Sequence, residues 1–250
     1  MTAADIISAL SLPADSRVDQ RITKKVLVEK GAPTAADKKQ INEGIEELRW
    51  VAALKPATLG VPAFRDDTRE YLEIAVLSLT LRSDAKAARL KELIHRAIPY
   101  PVFLILSSEA GLTLSLAHFR WSQGQSGQTV LDGPLLTVRL EQDTPATTDF
   151  LASLPISHQP RQDMQAFYHG WGEKFEAFAA SRLTGRFVAV TDSTAIQRRR
   201  AALIEHDRLT REIASLHARA HRETQLNRQV ELNLQLKPLE IRLAESLTHL

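Results

Sequence analysis

The chain has no cysteine in 250 residues, which removes disulfides, thiolate zinc sites, iron–sulfur clusters and cysteine nucleophiles together. A reducing cytoplasm fits that absence, and a cytoplasmic protein is the expectation. No stretch approaches the ~18 consecutive apolar residues that a membrane helix needs, so no membrane partner is expected. The first residues, MTAADIISALSLPADSR, put acidic Asp5 ahead of a short apolar stretch and lack a basic leader, so a secretory signal is not expected either. The formal charge is only +2, so there is no one-signed field over the whole chain, and only local clustering points to nucleic acid. Internal repeats and low-complexity tracts are missing. No motif calls for a cofactor, and none for a resident metal.

What remains is an ordinary composition, 44% hydrophobic and 25% charged, long enough to bury one full core and still carry helical extensions. Ala3 to Leu10 reads as a short helix stopped by Pro13. A second helix is expected from Asp15 or Ser16 to Glu29, closed by Gly31 and Pro33. Thr34 with Asp37 three residues later forms an acidic capping box, and Ile41, Ile45 and Leu48 follow at helical spacing, which predicts a third helix. Pro56 and Pro62 bar a long helix from the following RWVAALKPATLGVP, which suits a short strand.

The middle of the chain carries the sheet. EYLEIAVLSLTLR is too short and apolar for a surface helix and reads as a buried strand. DAKAARLKELIHRAI sets Leu90, Leu93, Ile94 and Ala97 on one side of a helix that ends before Pro99. PVFLILSS and LTLSLAHFRWS predict a hairpin turning at Glu109, Ala110 and Gly111, and TVLDGPLLTVRLEQ adds one or two strands. The fold class is therefore α/β or α+β, with a sheet of about five strands, flanking helices and a long helical C-terminal extension.

Residues 1–145 are expected to form that domain, 146–160 a proline- and threonine-rich connection, and 161–250 a helical region with a coiled-coil-like tail. Met164, Phe167, Tyr168, Trp171, Phe175 and Phe178 make an aromatic stripe that something must cover. Beyond it, Leu209, Ile213, Leu216 and Ala220 form a short heptad-like seam, continued by Val230 and Leu234. Pro238 is expected to kink or break the last helix, since it removes a backbone donor and crowds the preceding turn. Leucines left in water would each forgo roughly 1.5–3 kcal/mol of burial, so Leu209, Ile213, Leu216, Val230 and Leu234 are candidate partner-binding residues. A second copy of the chain, another protein and an intramolecular helical hairpin are all open as the cover.

One order of residues carries a resemblance: Val18-Asp19-Gln20-Arg21-Ile22-Thr23-Lys24-Lys25, Gly44-Ile45-Glu46-Glu47-Leu48-Arg49-Trp50, Ala53-Leu54-Lys55-Pro56-Ala57-Thr58, Ile98-Pro99-Tyr100-Pro101 and Leu226-Asn227-Arg228-Gln229-Val230-Glu231-Leu232-Asn233. It resembles the bacterial family called domain of unknown function 4391 over nearly the whole chain. The resemblance implies a setting beside helicases and DNA methyltransferases in gene clusters of the restriction-modification or phage-defence kind. It implies no catalytic residues, because none is assigned in the family.

Two chemistries are searched for directly. A metal-dependent nuclease needs carboxylates converging on a hard cation with a lysine nearby; Asp66, Asp67, Glu70 and Glu73 ahead of the first buried strand are the candidates, against a plainer reading as capping and solvated charges. The carboxylate-x-lysine pattern is missing from PVFLILSS. His118 and Arg120 share a strand face by alternation, as acid–base and phosphate clamp or simply as the polar face of an edge strand. Gly124-Gln125-Ser126-Gly127 lacks the lysine of a P-loop, and His169 beside Trp171 reads as packing on the stripe. For nucleic acid, the candidates are Lys24 and Lys25, and Arg198, Arg199, Arg200, Arg208 and Arg211 in a segment with eight Arg against four Asp/Glu between 198 and 228. The function expected from these signals is a non-catalytic adaptor of a bacterial DNA-defence system, binding a protein partner (a helicase, a methyltransferase or itself) and DNA, with a nuclease as the alternative.

Overall fold

A computed structural model describes residues 1–122, 124, 129–140 and 144–250. The chain divides into two compact units, Met1–Phe175 and Glu176–Leu250.

In the first unit, α1 (Ala3–Ala9) is closed by a reciprocal capping box in which Thr2 and Asp5 satisfy each other's backbone donors. A 3-10 turn then leads into β1 (Arg17–Arg21), followed by α2 (Lys24–Gly31) and α3 (Ala35–Gly44). Next come β2 (Ile45–Leu54), the one-turn α4 (Pro56–Leu59), the short strands β3 (Phe64–Arg65) and β4 (Glu70–Tyr71), and β5 (Ile74–Leu81). Helix α5 (Ala87–Ala97) crosses over to β6 (Val102–Ser108), and β7 (Gly111–Leu116), β8 (Phe119–Trp121), β9 (Thr129–Leu131) and β10 (Leu136–Leu140) complete the strands. Helix α6 (Pro145–Ala152) and the first turns of α7 (Met164–Thr184) close the unit.

The main sheet has six strands in the order β1-β2-β5-β6-β7-β10, with β5 and β6 parallel and every other pair antiparallel. Two ribbons, β3–β4 and β8–β9, stand apart from it. The parallel step follows from its connection: a helical crossover returns the chain in the same direction, whereas the hairpin β6–β7 reverses it. One sheet face packs on α2, α3 and α5, where Leu27, Ile41, Leu77, Leu90, Ile94 and Leu104 belong to one buried cluster. Backbones approach closely there. A Cβ on Gly31 would lie 2.6 Å from Ala97 Cβ, so α2 meets α5 at a point only glycine permits.

The other face takes the aromatic stripe. Phe103 on β6 meets Trp171 and Phe175 edge-on, with ring centroids 4.9 and 5.8 Å apart. Tyr168 donates its hydroxyl to Val102 O at 2.8 Å and accepts from Ala117 N at 3.0 Å, tying α7 to two strands. Trp171 Nε1 donates to Leu154 O. The sheet itself therefore covers the stripe from Met164 to Phe175.

Three elements depart from expectation. Residues 17–21 form β1 instead of helix, because a mostly exposed, polar edge strand shows no apolar alternation and its identity comes from pairing with β2. The third helix stops at Gly44, and Ile45 and Leu48 enter β2 opposite Leu81 and Leu79, since the i, i+4, i+7 spacing with Ile41 serves a helix and a buried strand equally. The sheet gains its sixth strand from β1. The stretch 146–160, read as a connection, contains most of α6 and a 3-10 turn, with Phe150 and Leu154 buried.

In the second unit, α8 (Ser193–Arg222) is capped by Asp192, whose carboxylate accepts from Ala195 N at 2.7 Å. The chain turns at Glu223, whose carboxylate accepts from Thr224 N and Gln225 N, and continues as α9 (Leu226–Ser246). The two form an antiparallel hairpin: Arg242 donates to Glu205 at 2.7 Å, and Gln229 donates to Ala220 O at 3.4 Å. Pro238 does not break α9. It sits in the exposed middle of a helix that continues to Ser246, and the break lies at Glu223–Gln225 instead. Among the described residues no helix is long and apolar enough to cross a membrane.

Candidate functional site

The four candidate carboxylates lie close in sequence and are held by different groups. Asp66 turns the β3–β4 hairpin: one carboxylate oxygen accepts from Thr68 N, Thr68 Oγ1 and Arg69 N at 2.6–2.8 Å, and the Thr68 bonds chiefly hold its carboxyl below the usual range. Asp67 is exposed. Glu70 is paired with Arg65, and Glu73 lies 3.6 Å from Lys55. No three His, Asp or Glu side chains among the described residues group as a metal-holding set.

Folding gathers a different set. Tyr71, on β4, has its hydroxyl 3.5 Å from Nδ1 of His118, which precedes β8. The His118 ring meets His169 of α7 edge-on at 4.6 Å, and Tyr71 lies 6.1 Å from the same His169 ring. Alongside, Arg69 is paired with Asp132, and Arg120 Nε lies 3.8 Å from the same carboxylate. Burial pushes the Tyr71 phenol up to about 12, so it stays protonated at neutral pH. Two imidazoles, a phenol and two arginines on one carboxylate make a half-buried polar cluster. His118 and Arg120, paired on a strand face by alternation, both reach it; His169 joins as well as packing. Tyr71 and Asp132 carried no local sequence signal. Gln123 and residues 125–128 of the glycine-containing loop lie outside the described residues.

The candidate basic residues are largely spoken for. Arg200 makes a two-pronged bond to Glu176 at 2.6 and 3.2 Å, Arg208 bonds both Glu205 and Glu212, and Arg211 is paired with Asp207. Arg199 is buried. Lys25 lies 3.9 Å from Glu29, and Arg198 is exposed. Lys24 donates to Asn42 O at 2.7 Å, and desolvation, then Arg82 and Arg21, lower its pKa. It is the member of the set that sits among other cations.

The partner-binding candidates separate into two groups. Leu209 and Leu216 are buried and Ile213 half-buried on α8, and Leu236 is the buried contact of α9. Leu226, Val230, Leu234 and Ile241 of α9 are 73%, 49%, 68% and 53% exposed. At 100° per residue these four cluster on the side of α9 away from Leu236.

The fold and these surfaces define a mixed α/β protein with an appended helical hairpin, bearing one polar cluster and one unpartnered apolar stripe. The chain matches the family described as domain of unknown function (DUF4391) over residues 10–243 and belongs to it. No curated protein and no solved structure matches the chain.

Proposed function

We propose that the protein is a non-catalytic adaptor subunit of a prokaryotic DNA-defence system, and that α9 docks its protein partner, the helicase or DNA methyltransferase of the same system. The observation that supports this reading is the stripe Leu226, Val230, Leu234 and Ile241, four large apolar side chains 49–73% exposed along one face of a helix whose opposite face is already used by α8. Single exposed apolar residues are ordinary, whereas a row of them at helical spacing is the form of a helix that lies against a complementary surface. Three arginines of α8 are paired, Arg200 with Glu176 of α7, Arg208 with Glu205 and Glu212, and Arg211 with Asp207, so these three shape that surface more than they offer cations to DNA.

The test is co-expression with a helicase and a DNA methyltransferase of the proposed system, followed by gel filtration with light scattering. The chain elutes with one of them, and the variant Val230→Ser/Leu234→Ser/Ile241→Ser, with unchanged circular dichroism, elutes alone. A complex that survives the triple substitution sinks the reading. A chain that is dimeric by itself, and monomeric as the triple variant, reassigns the stripe to a second copy.

A further inference from the structure

Two clefts open side by side in the first unit, one of about 500 Å3 and one of about 510 Å3. Both have Lys30, Arg96 and Thr129 in their walls. The first continues over Phe119, Val130 and Leu131, and the second over Tyr100 and Trp121. Each cleft thus joins apolar side chains to polar ones, and Lys30 and Arg96 stand in the wall that the two share. Lys30 is exposed at the end of α2 and makes no ion pair among the described residues. Arg96 lies at the end of α5 with one of its nitrogens 2.7 Å from Glu92. The acids that line the lobes are both countered elsewhere, Glu70 by Arg65 and Glu29, at 3.9 Å, by Lys25.

We propose that this double cleft binds single-stranded nucleic acid, with a base in each lobe and the linking phosphate on Lys30 and Arg96. Two nucleotides joined by a phosphodiester suit two mixed lobes divided by positive charge, since each base has a flat face and polar edges and the anion lies between them. Sequence-tolerant strand binding elsewhere combines the same parts, aromatic faces for bases and cations for the backbone. An acidic peptide would satisfy the cations and leave Trp121 without a flat partner. The lining residues all belong to the first unit and none to α9, so the proposal stands or falls independently of the docking reading.

The test uses the full chain with labelled short oligo-deoxythymidine and oligo-uridine, read by fluorescence polarisation and by tryptophan emission at low and moderate salt. Trp121→Ala weakens binding roughly 5- to 100-fold, as loss of one stacked base requires, and Trp121→Phe restores most of it. Lys30→Gln and Arg96→Gln each lower the slope of log affinity against log salt by roughly 0.7. Preference for either sugar supports the proposal and assigns the strand. It is overturned if neither oligonucleotide binds, if Trp121→Ala binds like the parent chain, or if a poly-glutamate peptide competes as well as unlabelled oligonucleotide.

Discussion

Helices α7 and α9 are both 21 residues long, and they do opposite things with their apolar residues. In α7, Met164, Phe167, Tyr168, Trp171 and Phe175 are all buried, and the polar tips among them find backbone partners: Trp171 on Leu154 O, and Tyr168 on Val102 O and Ala117 N. In α9 the sole large side chain counted as buried is Leu236, while four others face outward. The first helix carries aromatic bulk that only a shaped cavity accepts; the second carries γ-branched and β-branched aliphatics that any apolar surface accepts. That difference separates a helix that makes a core from one that leaves an apolar row exposed.

The largest expected effect breaks the α7 side. Trp171 is fully buried between Phe103 and Phe167, at ring distances of 4.9 and 5.0 Å. Trp171→Ala empties that space and abandons the hydrogen bond to Leu154 O, so it should destabilise the first unit by about 3–5 kcal/mol. Urea unfolding measures it; a change under about 1 kcal/mol would mean the helix is held by something other than its aromatic face.

The second effect sharpens the comparison through acid. His95, on α5, is fully buried with Nε2 2.9 Å from Ser115 Oγ, and burial first, then Lys91, drives its pKa down to about 3 from 6.5. The folded state holds the imidazole neutral, whereas the unfolded chain takes up a proton below pH 6.5. The stabilisation is therefore complete above pH 6.5 and is lost as pH falls toward 3, with a slope of up to ~1.4 kcal/mol per pH unit. The hairpin behaves differently: Glu205 is held down at about 2 from 4.5, by Arg208 first and Arg242 after it, so its contribution persists to lower pH. On acidification the first unit should weaken while the hairpin keeps its helix, followed by tryptophan fluorescence and far-ultraviolet circular dichroism together. His95→Leu/Ser115→Ala removes both hydrogen-bond partners and should abolish the slope between pH 6.5 and 4.5.

How much of this was legible in the chain depends on where each signal is stored. Strands β5 and β6 and helix α5 show in the sequence because their burial is written in consecutive residues: an apolar run for a strand covered on both faces, and Leu90, Leu93, Ile94 and Ala97 for a helix covered on one. Strand β1 does not show, because only Val18 in it is even half-buried and its pairing with β2 is a property of the fold. Ile45 and Leu48 mislead because one spacing fits two periods. Pro238 misleads because its missing donor matters less where the helix surface is wet. The polar cluster has a partial local trace, the alternation that pairs His118 with Arg120; Tyr71, His118 and His169 come from a short ribbon strand, a loop and a long helix, and only the folding of β4, β8 and α7 beside one another brings them within reach.

The smallest expected effect closes the comparison from the α9 side. Leu234 is 68% exposed and Val230 49% exposed, so neither has much burial to lose. Leu234→Ser should change the stability of the isolated chain by no more than about 0.5 kcal/mol, a tenth of the effect at Trp171. Substituting a leucine on the other side of the hairpin should not be so mild: Leu209 is fully buried, and Leu209→Ala should lose about 2–3 kcal/mol. Urea unfolding of the chain alone compares the two. If Leu234→Ser proves as damaging as Leu209→Ala, the outward stripe is already covered in solution and α9 is a core helix of a self-assembled form. If it is silent, the apolar row contributes nothing to the fold, and its presence is explained by what docks on it.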